Sequence, residues 1–204
     1  ECVMCRGELS SAIRRNRDQL PPIQSPYDDA FVTQLEEFIP HVSETYFAGG
    51  EPFLIKQYFE IWERKAVLNP GHHLSIQTNA TILTDRVRHT LGNMRASIAV
   101  SIDSVHRDRL ESIRVNANYD VVQDHVRYFK EYCDRKGTQL TISFTPMTLN
   151  WMELPDSVEY CNQLGVRIYY NHLSYPRHYA FTSLSADELC EICCFLHRYV
   201  PPQS

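Results

Sequence analysis

The sequence predicts an α/β fold, a parallel sheet covered by helices. Three observations carry that prediction. Short β-rich runs alternate along the chain with longer stretches of helical spacing. Several of the β-rich runs are apolar at consecutive positions, the pattern of strands buried on both faces. Glycines and a capping signal stand where the helical stretches should end or begin.

Taken in order, strands are expected over 44–48, 73–78, 97–103, 139–146 and 166–171. Before the first, Phe31, Val32, Leu35, Phe38 and Ile39 form one apolar stripe; after it, Leu54, Tyr58, Phe59 and Trp62 form another. A third runs through Val122, His125, Val126, Phe129 and Cys133, with Gly137 closing it as a C′ residue. A further helix is expected over 152–164, ended by Gly165. Ser185-Ala186-Asp187-Glu188 reads as a capping box opening a last helix from about residue 186. The stretch 20–27, with Pro21, Pro22 and Pro26, is a loop inside the domain. Such a succession of βα units suits either an open doubly wound sheet or an incomplete (β/α) barrel, because both share this periodicity.

Composition removes several function classes. A chain of 204 residues fits one large domain or a piece of a larger protein. Hydrophobic content of 43% with 22% charge argues against disorder. A net charge of −5 offers no electrostatic footprint for nucleic acid. The basic run Arg14-Arg15-Asn16-Arg17 is followed at once by Asp18, as on a solvated helix face. No apolar run approaches the roughly 20 residues needed to cross a bilayer, so no membrane partner is expected. Seven cysteines are an odd number and too sparse for a secreted disulfide scaffold. They suit reduced thiols in a cytoplasm, some of them ligands.

Two motifs carry chemistry. Cys2-Val3-Met4-Cys5 offers two soft ligands at a spacing shared by zinc sites, redox dithiols and iron–sulfur sites. Tyr46-Phe47-Ala48-Gly49-Gly50-Glu51-Pro52 runs a buried strand into two glycines, a carboxylate and a proline. Glycines at a strand's carboxyl end let backbone approach a ligand closely. Glu51 then presents a carboxylate where α/β folds place their ligands, and Pro52 fixes the turn into a helix. Read alone, the first motif is equally two unrelated thiols and the second a tight turn with a solvated glutamate.

Together they resemble the radical S-adenosylmethionine (radical SAM) superfamily, whose signature C-x-x-x-C-x-Φ-C precedes a GGEP motif on the next strand. Cys2 and Cys5 match its second and third cysteines with Met4 at Φ, and Gly49-Gly50-Glu51-Pro52 follows about 45 residues later. The first cysteine would lie before Glu1, so the chain resembles a family core truncated at its N-terminus. Gln77-Thr78-Asn79-Ala80 resembles the family's third-strand exit, with Ala80 in a glycine place. Ser101-Ile102-Asp103-Ser104 resembles the fourth, followed by Glu111-Ser112-Ile113-Arg114. Thr145 to Asn150 and Glu153-Leu154-Pro155 resemble the fifth-strand exit of the subgroup with SPASM or twitch domains.

The resemblance implies a partial (β/α)6 barrel spanning 1–204, lacking most of its first unit, with a C-terminal helix leading to an auxiliary domain. It implies a 4Fe–4S cluster on Cys2, Cys5 and a third thiolate, and S-adenosylmethionine (SAM) as cosubstrate. In the family, reductive cleavage of that cosubstrate releases a 5′-deoxyadenosyl radical, which abstracts hydrogen from a peptide or small molecule. A reducing partner such as flavodoxin or ferredoxin follows from the same chemistry. Gly49, Gly50, Glu51 and Pro52 would cradle the methionine ammonium, Arg114 would pair with its carboxylate, and Ser101 would approach the ribose with Asp103 beside it. Rival readings of the chain are a degenerate binding module that keeps the fold without the cluster, and a zinc protein. For single residues, Arg114 is alternatively a surface partner of Glu111, and Asp103 a cap on the helix near His106.

Asn79 and Asn150 fall at strand ends and are candidates to face a ligand, as is His172. His72 and His73 precede a strand at the opposite end and are expected in solvent. Cys190, Cys193 and Cys194 fall at i, i+3 and i+4 of the last helix, expected as part of a buried apolar stripe with Leu189, Ile192 and Leu196. The sharper alternative there is a metal site completed by residues beyond Ser204.

Overall fold

A computed structural model describes residues 2–8, 10–25, 27–28 and 30–199. Pro26 of the expected proline loop and the residues after 199 lie outside that set. The chain begins with helices α1 (Ser11–Asn16) and α2 (Ala30–Leu35). Strand β1 (Glu44–Phe47) then leads to α3 (Lys56–Leu68), β2 (His73–Thr78) to α4 (Asp85–Gly92), and β3 (Ser97–Ser101) to α5 (Arg107–Ile113) and α6 (Tyr119–Lys136). Strand β4 (Leu140–Phe144) precedes α7 (Leu154–Leu164), and β5 (Arg167–Tyr170) precedes α8 (Ala186–His197). All five strands pair in parallel in the order β1-β2-β3-β4-β5. This unbroken order with helical crossovers is a partial (β/α) barrel rather than a doubly wound sheet, whose strand order would reverse.

Local chemistry explains where the helices stop and start. Gly137 and Gly165 each take φ +63°, the left-handed geometry that ends α6 and α7 without a Cβ penalty. Asn118 caps α6 by accepting from Val121 N–H at 3.0 Å. Ser185 and Glu188 form the expected reciprocal capping box on α8.

The strands depart from the sequence expectation in one respect that matters for function. They are buried on one face only. Leu74, Ile76, Ile98, Val100, Leu140 and Ile142 join a single core with Phe59 and Trp62 of α3, Leu91 of α4, Phe129 of α6 and Cys161 of α7. The alternate residues Tyr46, Ser75, Gln77, Ser101, Thr141 and Tyr169 form the opposite face, which is polar and partly exposed, with Ser143 of β4 buried among them. Tyr46 is 60% and Tyr169 63% exposed, one on each edge strand. Burial raises the Tyr46 phenol's pKa, with a smaller contribution from Tyr169.

Trp62 anchors the core, with the Phe47, Phe53 and Phe59 ring centroids 5.1–5.8 Å from its own in edge-on geometry. At the amino end of β3, buried Tyr132 donates to Met94 O at 3.1 Å and accepts from Ala96 N–H at 2.9 Å, and burial pushes its pKa up to about 12. Among the described residues, no helix is long and apolar enough to cross a membrane.

Candidate functional site

The carboxyl ends of the strands collect most of the residues singled out by sequence. At the end of β1, Gly49 and Gly50 adopt φ +90° and +56°, conformations that a Cβ disfavours. They turn the chain so that Glu51 points back under the rim, where it is 7% exposed. Its Oε1 accepts from Thr78 Oγ1 at 2.8 Å and Phe53 N–H at 3.3 Å; its Oε2 accepts from Asn79 N–H at 2.9 Å. Pro52, also buried, opens the short 3-10 turn Pro52–Leu54 into α3. Burial raises the Glu51 pKa above the ordinary carboxylate value, against these three hydrogen bonds and the charge of Arg114. The carboxylate is therefore hydrogen-bonded but lacks a contacting cation.

Arg114 ties the rim together. Its Nη2 lies 2.6 Å from Oδ2 of Asp103, which is fully buried at the exit of β3. The other Asp103 oxygen accepts from Thr145 N–H at 3.0 Å, at the exit of β4. Asp103 is thus not the cap of α5; Ser104 Oγ takes the His106 N–H instead, at 3.0 Å. Arg114 is not a surface partner of Glu111, which accepts from Tyr119 N–H at 2.9 Å. Arg114 Nε is buried with no partner, a donor left for a ligand. One residue earlier, Ile113 O accepts from Val3 N–H at 2.9 Å, and Val3 and Met4 pack with Ile113, Met147, Leu173 and Ala180. The cysteine turn is therefore docked directly on the segment that carries Arg114.

Cys2 and Cys5 stand with Cα atoms 5.3 Å apart and are joined as a disulfide. Among the described residues no group of three or more His, Cys, Asp or Glu side chains is arranged to hold a metal ion. The donor set supplies two adjacent sulfurs, soft ligands of the kind an iron–sulfur cluster takes once reduced, and one fewer than the three thiolates of a cubane with an open iron.

The other candidates separate. Asn79 spends its side-chain oxygen on Thr81, accepting from N–H at 2.8 Å and Oγ1 at 2.6 Å, while its backbone serves Glu51. Ala80 takes φ +57°, which accounts for a glycine preference at this place. Ser101 accepts from Gln77 Nε2 at 3.1 Å, and Tyr46 donates to the same Gln77 amide oxygen, a ladder across the open face. Asn150 is buried and structural: its amide donates to Asp103 O at 2.7 Å and Thr145 O at 3.0 Å. His172 is exposed. Of the opposite-end pair, His73 is exposed as expected, but His72 is buried and its Nε2 lies 2.7 Å from Thr45 Oγ1. The cysteines of α8 also depart from expectation. Cys190, Cys193 and Cys194 are exposed, because α8 packs mainly through Ile192 and the Phe195 ring against Trp151.

Sequence reasoning missed Thr78, Ser104 and Glu153. Thr78 ends β2 with its hydroxyl on Glu51, and buried Glu153 receives Ser104 Oγ and pairs with Arg109 at 3.3 Å. All three lay inside quoted motifs, but only the turn geometry aims them inward.

Five parallel strands with a carboxyl-end rim built from cysteines, a GGEP turn and a half-buried arginine define a radical SAM-type core. A model of the Radical SAM superfamily matches residues 2–165, and the chain belongs to that superfamily. An uncharacterized protein of Archaeoglobus fulgidus is 29% identical over 132 residues, 62% of this chain and 30% of that protein. A probable GTP 3′,8-cyclase of Methanocella arvoryzae is 29% identical over 114 residues, 55% of this chain and 33% of that enzyme. The chain thus spans about a third of the curated relatives it matches. Among solved structures, Streptococcus suis SuiB bound to S-adenosylmethionine superposes with TM-score 0.64 at 13% identity, covering 88% of this chain and 42% of that one. A radical SAM methyltransferase from Kitasatospora setae, solved with cobalamin and a 4Fe–4S cluster, gives 0.51 at 11% identity, over 70% of this chain and 30% of that one. At these identities the structural likeness concerns the fold.

Proposed function

We propose that the chain is the core of a radical SAM enzyme acting on a peptide or small molecule at the open polar face of the sheet. The observation that carries this reading is Arg114, a half-buried arginine whose Nε is buried without a partner, between the cysteine turn and the GGEP turn. Arg114 keeps one unpartnered donor, and its charge is felt at Glu51, which itself lacks a cation in contact. A zwitterionic amino-acid moiety answers both needs, its ammonium on Glu51 and the Gly49–Gly50 backbone, its carboxylate on Arg114. Each charge-assisted contact is worth about 1.5–3 kcal/mol.

Cys2 and Cys5 would hold two corners of a 4Fe–4S cluster, with a third thiolate from outside the described residues. When bound, that cluster supplies the electron for reductive cleavage of the SAM sulfonium. The chain's own contributions are binding and exclusion. Asp103 holds Arg114 in place from a fully buried site, so it is a positioning residue rather than a ligand. Ser101, already fixed by Gln77, offers its hydroxyl toward ribose, and Asn79 fixes Glu51 through its backbone. Val3 and Met4 seal the cysteine turn against Ile113 and Leu173, which limits water there.

The polar face with Tyr46, Gln77, Thr141 and Tyr169 carries neutral hydrogen-bonding groups, which suit a peptide backbone or a polar metabolite. A SuiB structure bound to precursor peptide SuiA, similar in fold at TM-score 0.62 and 14% identity over 82% of this chain and 39% of that one, favours the peptide; the resemblance of 145–155 to the SPASM/twitch subgroup is in keeping with it. On that reading α8 leads into an auxiliary substrate-binding domain, and flavodoxin or ferredoxin delivers the electron in the cytoplasm. The close Cys2–Cys5 pair, joined as a disulfide, also suits a second reading, a redox dithiol without the cluster that takes zinc once reduced. Anaerobic reconstitution of the protein with iron and sulfide separates them. Iron near four per chain, and 5′-deoxyadenosine after dithionite and SAM, is expected. A cluster without that product overturns catalysis, and zinc uptake without iron supports the second reading.

A further inference from the structure

At the other end of the sheet, the amino ends of β2, β3 and β4 enclose a cavity of about 270 Å³. Its polar lining is His72, His73, Arg95, Ser97, Thr138 and Gln139, all able to donate hydrogen bonds, and it contains no carboxylate. Beside it lies Lys65 of α3, 2% exposed. Among the described residues no carboxylate pairs with Lys65, His72 or Arg95. Glu44 stands opposite His73 in the strand register, yet forms no ion pair among the described residues.

Some of this positive charge serves the helix ends. Arg95 donates to Lys136 O at 3.1 Å and Gly137 O at 3.2 Å, and Lys136 donates to Gly92 O at 2.6 Å, where carbonyls at helix C-termini attract cations. Lys65 has no such partner, and His72 Nδ1 is buried without one. The groups repel one another. Burial and then Arg95 lower the Lys65 pKa; burial, then Lys65, then His73 lower that of His72. A cation on a largely buried side chain with no carboxylate beside it is costly, and that cost falls when an anion enters.

We propose that this cavity is an oxyanion site that takes a phosphate, free or as the phosphate group of a small ester. Arg95 Nη1, the Ser97 hydroxyl and the Gln139 amide are the donors, with the charge of Lys65 behind them. A cavity of this size lies just below that of drug-sized pockets and admits a phosphate or a small phosphate ester. The site lies at the sheet end opposite Glu51 and needs no cluster, so it stands or falls independently of SAM chemistry.

The test is calorimetric titration of the protein with sodium phosphate, and separately with ribose 5-phosphate, at ionic strength held constant with sodium chloride. Saturable binding at one site per chain is expected, at least tenfold weaker in Arg95→Gln and several-fold weaker in Lys65→Met. Because Arg95→Gln also loses two helix-end hydrogen bonds, Ser97→Ala serves as a milder second variant, with a loss of a few fold. Lys56→Gln, a surface change on the same helix as Lys65, should leave affinity unchanged. Tighter binding of either ligand identifies the source while upholding the site. Absence of saturable heat with both, or equal affinity across wild type and the three site variants, overturns it.

Discussion

Arg114 and Asp103 meet at 2.6 Å beneath the carboxyl-end rim, with the carboxylate fully buried and the guanidinium mostly so. Through the Ile113 carbonyl the same segment holds the cysteine turn, and through its charge it reaches Glu51. This pair therefore links the three parts of the site.

Removing one partner of a buried pair strands the other. Asp103→Ala should lower stability by about 3 kcal/mol, read as a shifted urea midpoint with an unchanged m-value. Asp103→Asn keeps an acceptor for Thr145 N–H but still strands the guanidinium, so most of the loss should persist. Both variants should also weaken SAM binding, because Arg114 loses the partner that fixes it.

SAM affinity should fall on acidification, beginning above the ordinary carboxylate pKa. The sign follows from the raised Glu51 pKa: the ammonium binds the ionised carboxylate, so protonation of Glu51 competes with it. Affinity is full above the raised pKa and declines as pH falls through it. Calorimetry of the reconstituted protein across pH 5–8 in buffers of different ionisation enthalpy would show the accompanying proton release. For the ligand-free fold the linkage runs the other way. Glu51's contribution is present below the unfolded pKa and is lost as pH rises through the folded one.

Gly50→Ala should cost about 1 kcal/mol, seen as a drop of a few degrees in Tm. A Cβ at Gly50 meets nothing within 4 Å, so the penalty comes from the left-handed backbone at φ +56°. Gly71→Ala has equally open space and no positive φ, and should leave Tm unchanged.

Thiol labelling under native conditions should report three fast cysteines, Cys190, Cys193 and Cys194, all exposed on α8. Cys133 and Cys161 should react only on unfolding. Both are buried, and burial raises their pKa, that of Cys161 to about 12, which suppresses the reactive thiolate. Fast labelling of more than three in the unreduced protein would contradict this packing.

Much of the scaffold was legible in residue order. The five strands fall within the expected runs, and the glycines that end α6 and α7 were readable because a left-handed C-cap is a local requirement. The GGEP turn and the cysteine pair were equally local, since covalent spacing alone places their donors.

The sequence by itself determined the alternating architecture, the superfamily and the turn that carries Glu51, because short-range backbone preferences and contiguous motifs specify them. Only the tertiary structure decided which strand face is open, that Arg114 chooses Asp103 over Glu111, that His72 is buried, and that the α8 cysteines face outward. Each of these depends on which surfaces the helices cover and which distant charges a side chain meets. Those contacts join residues far apart in the chain, and no local pattern encodes them.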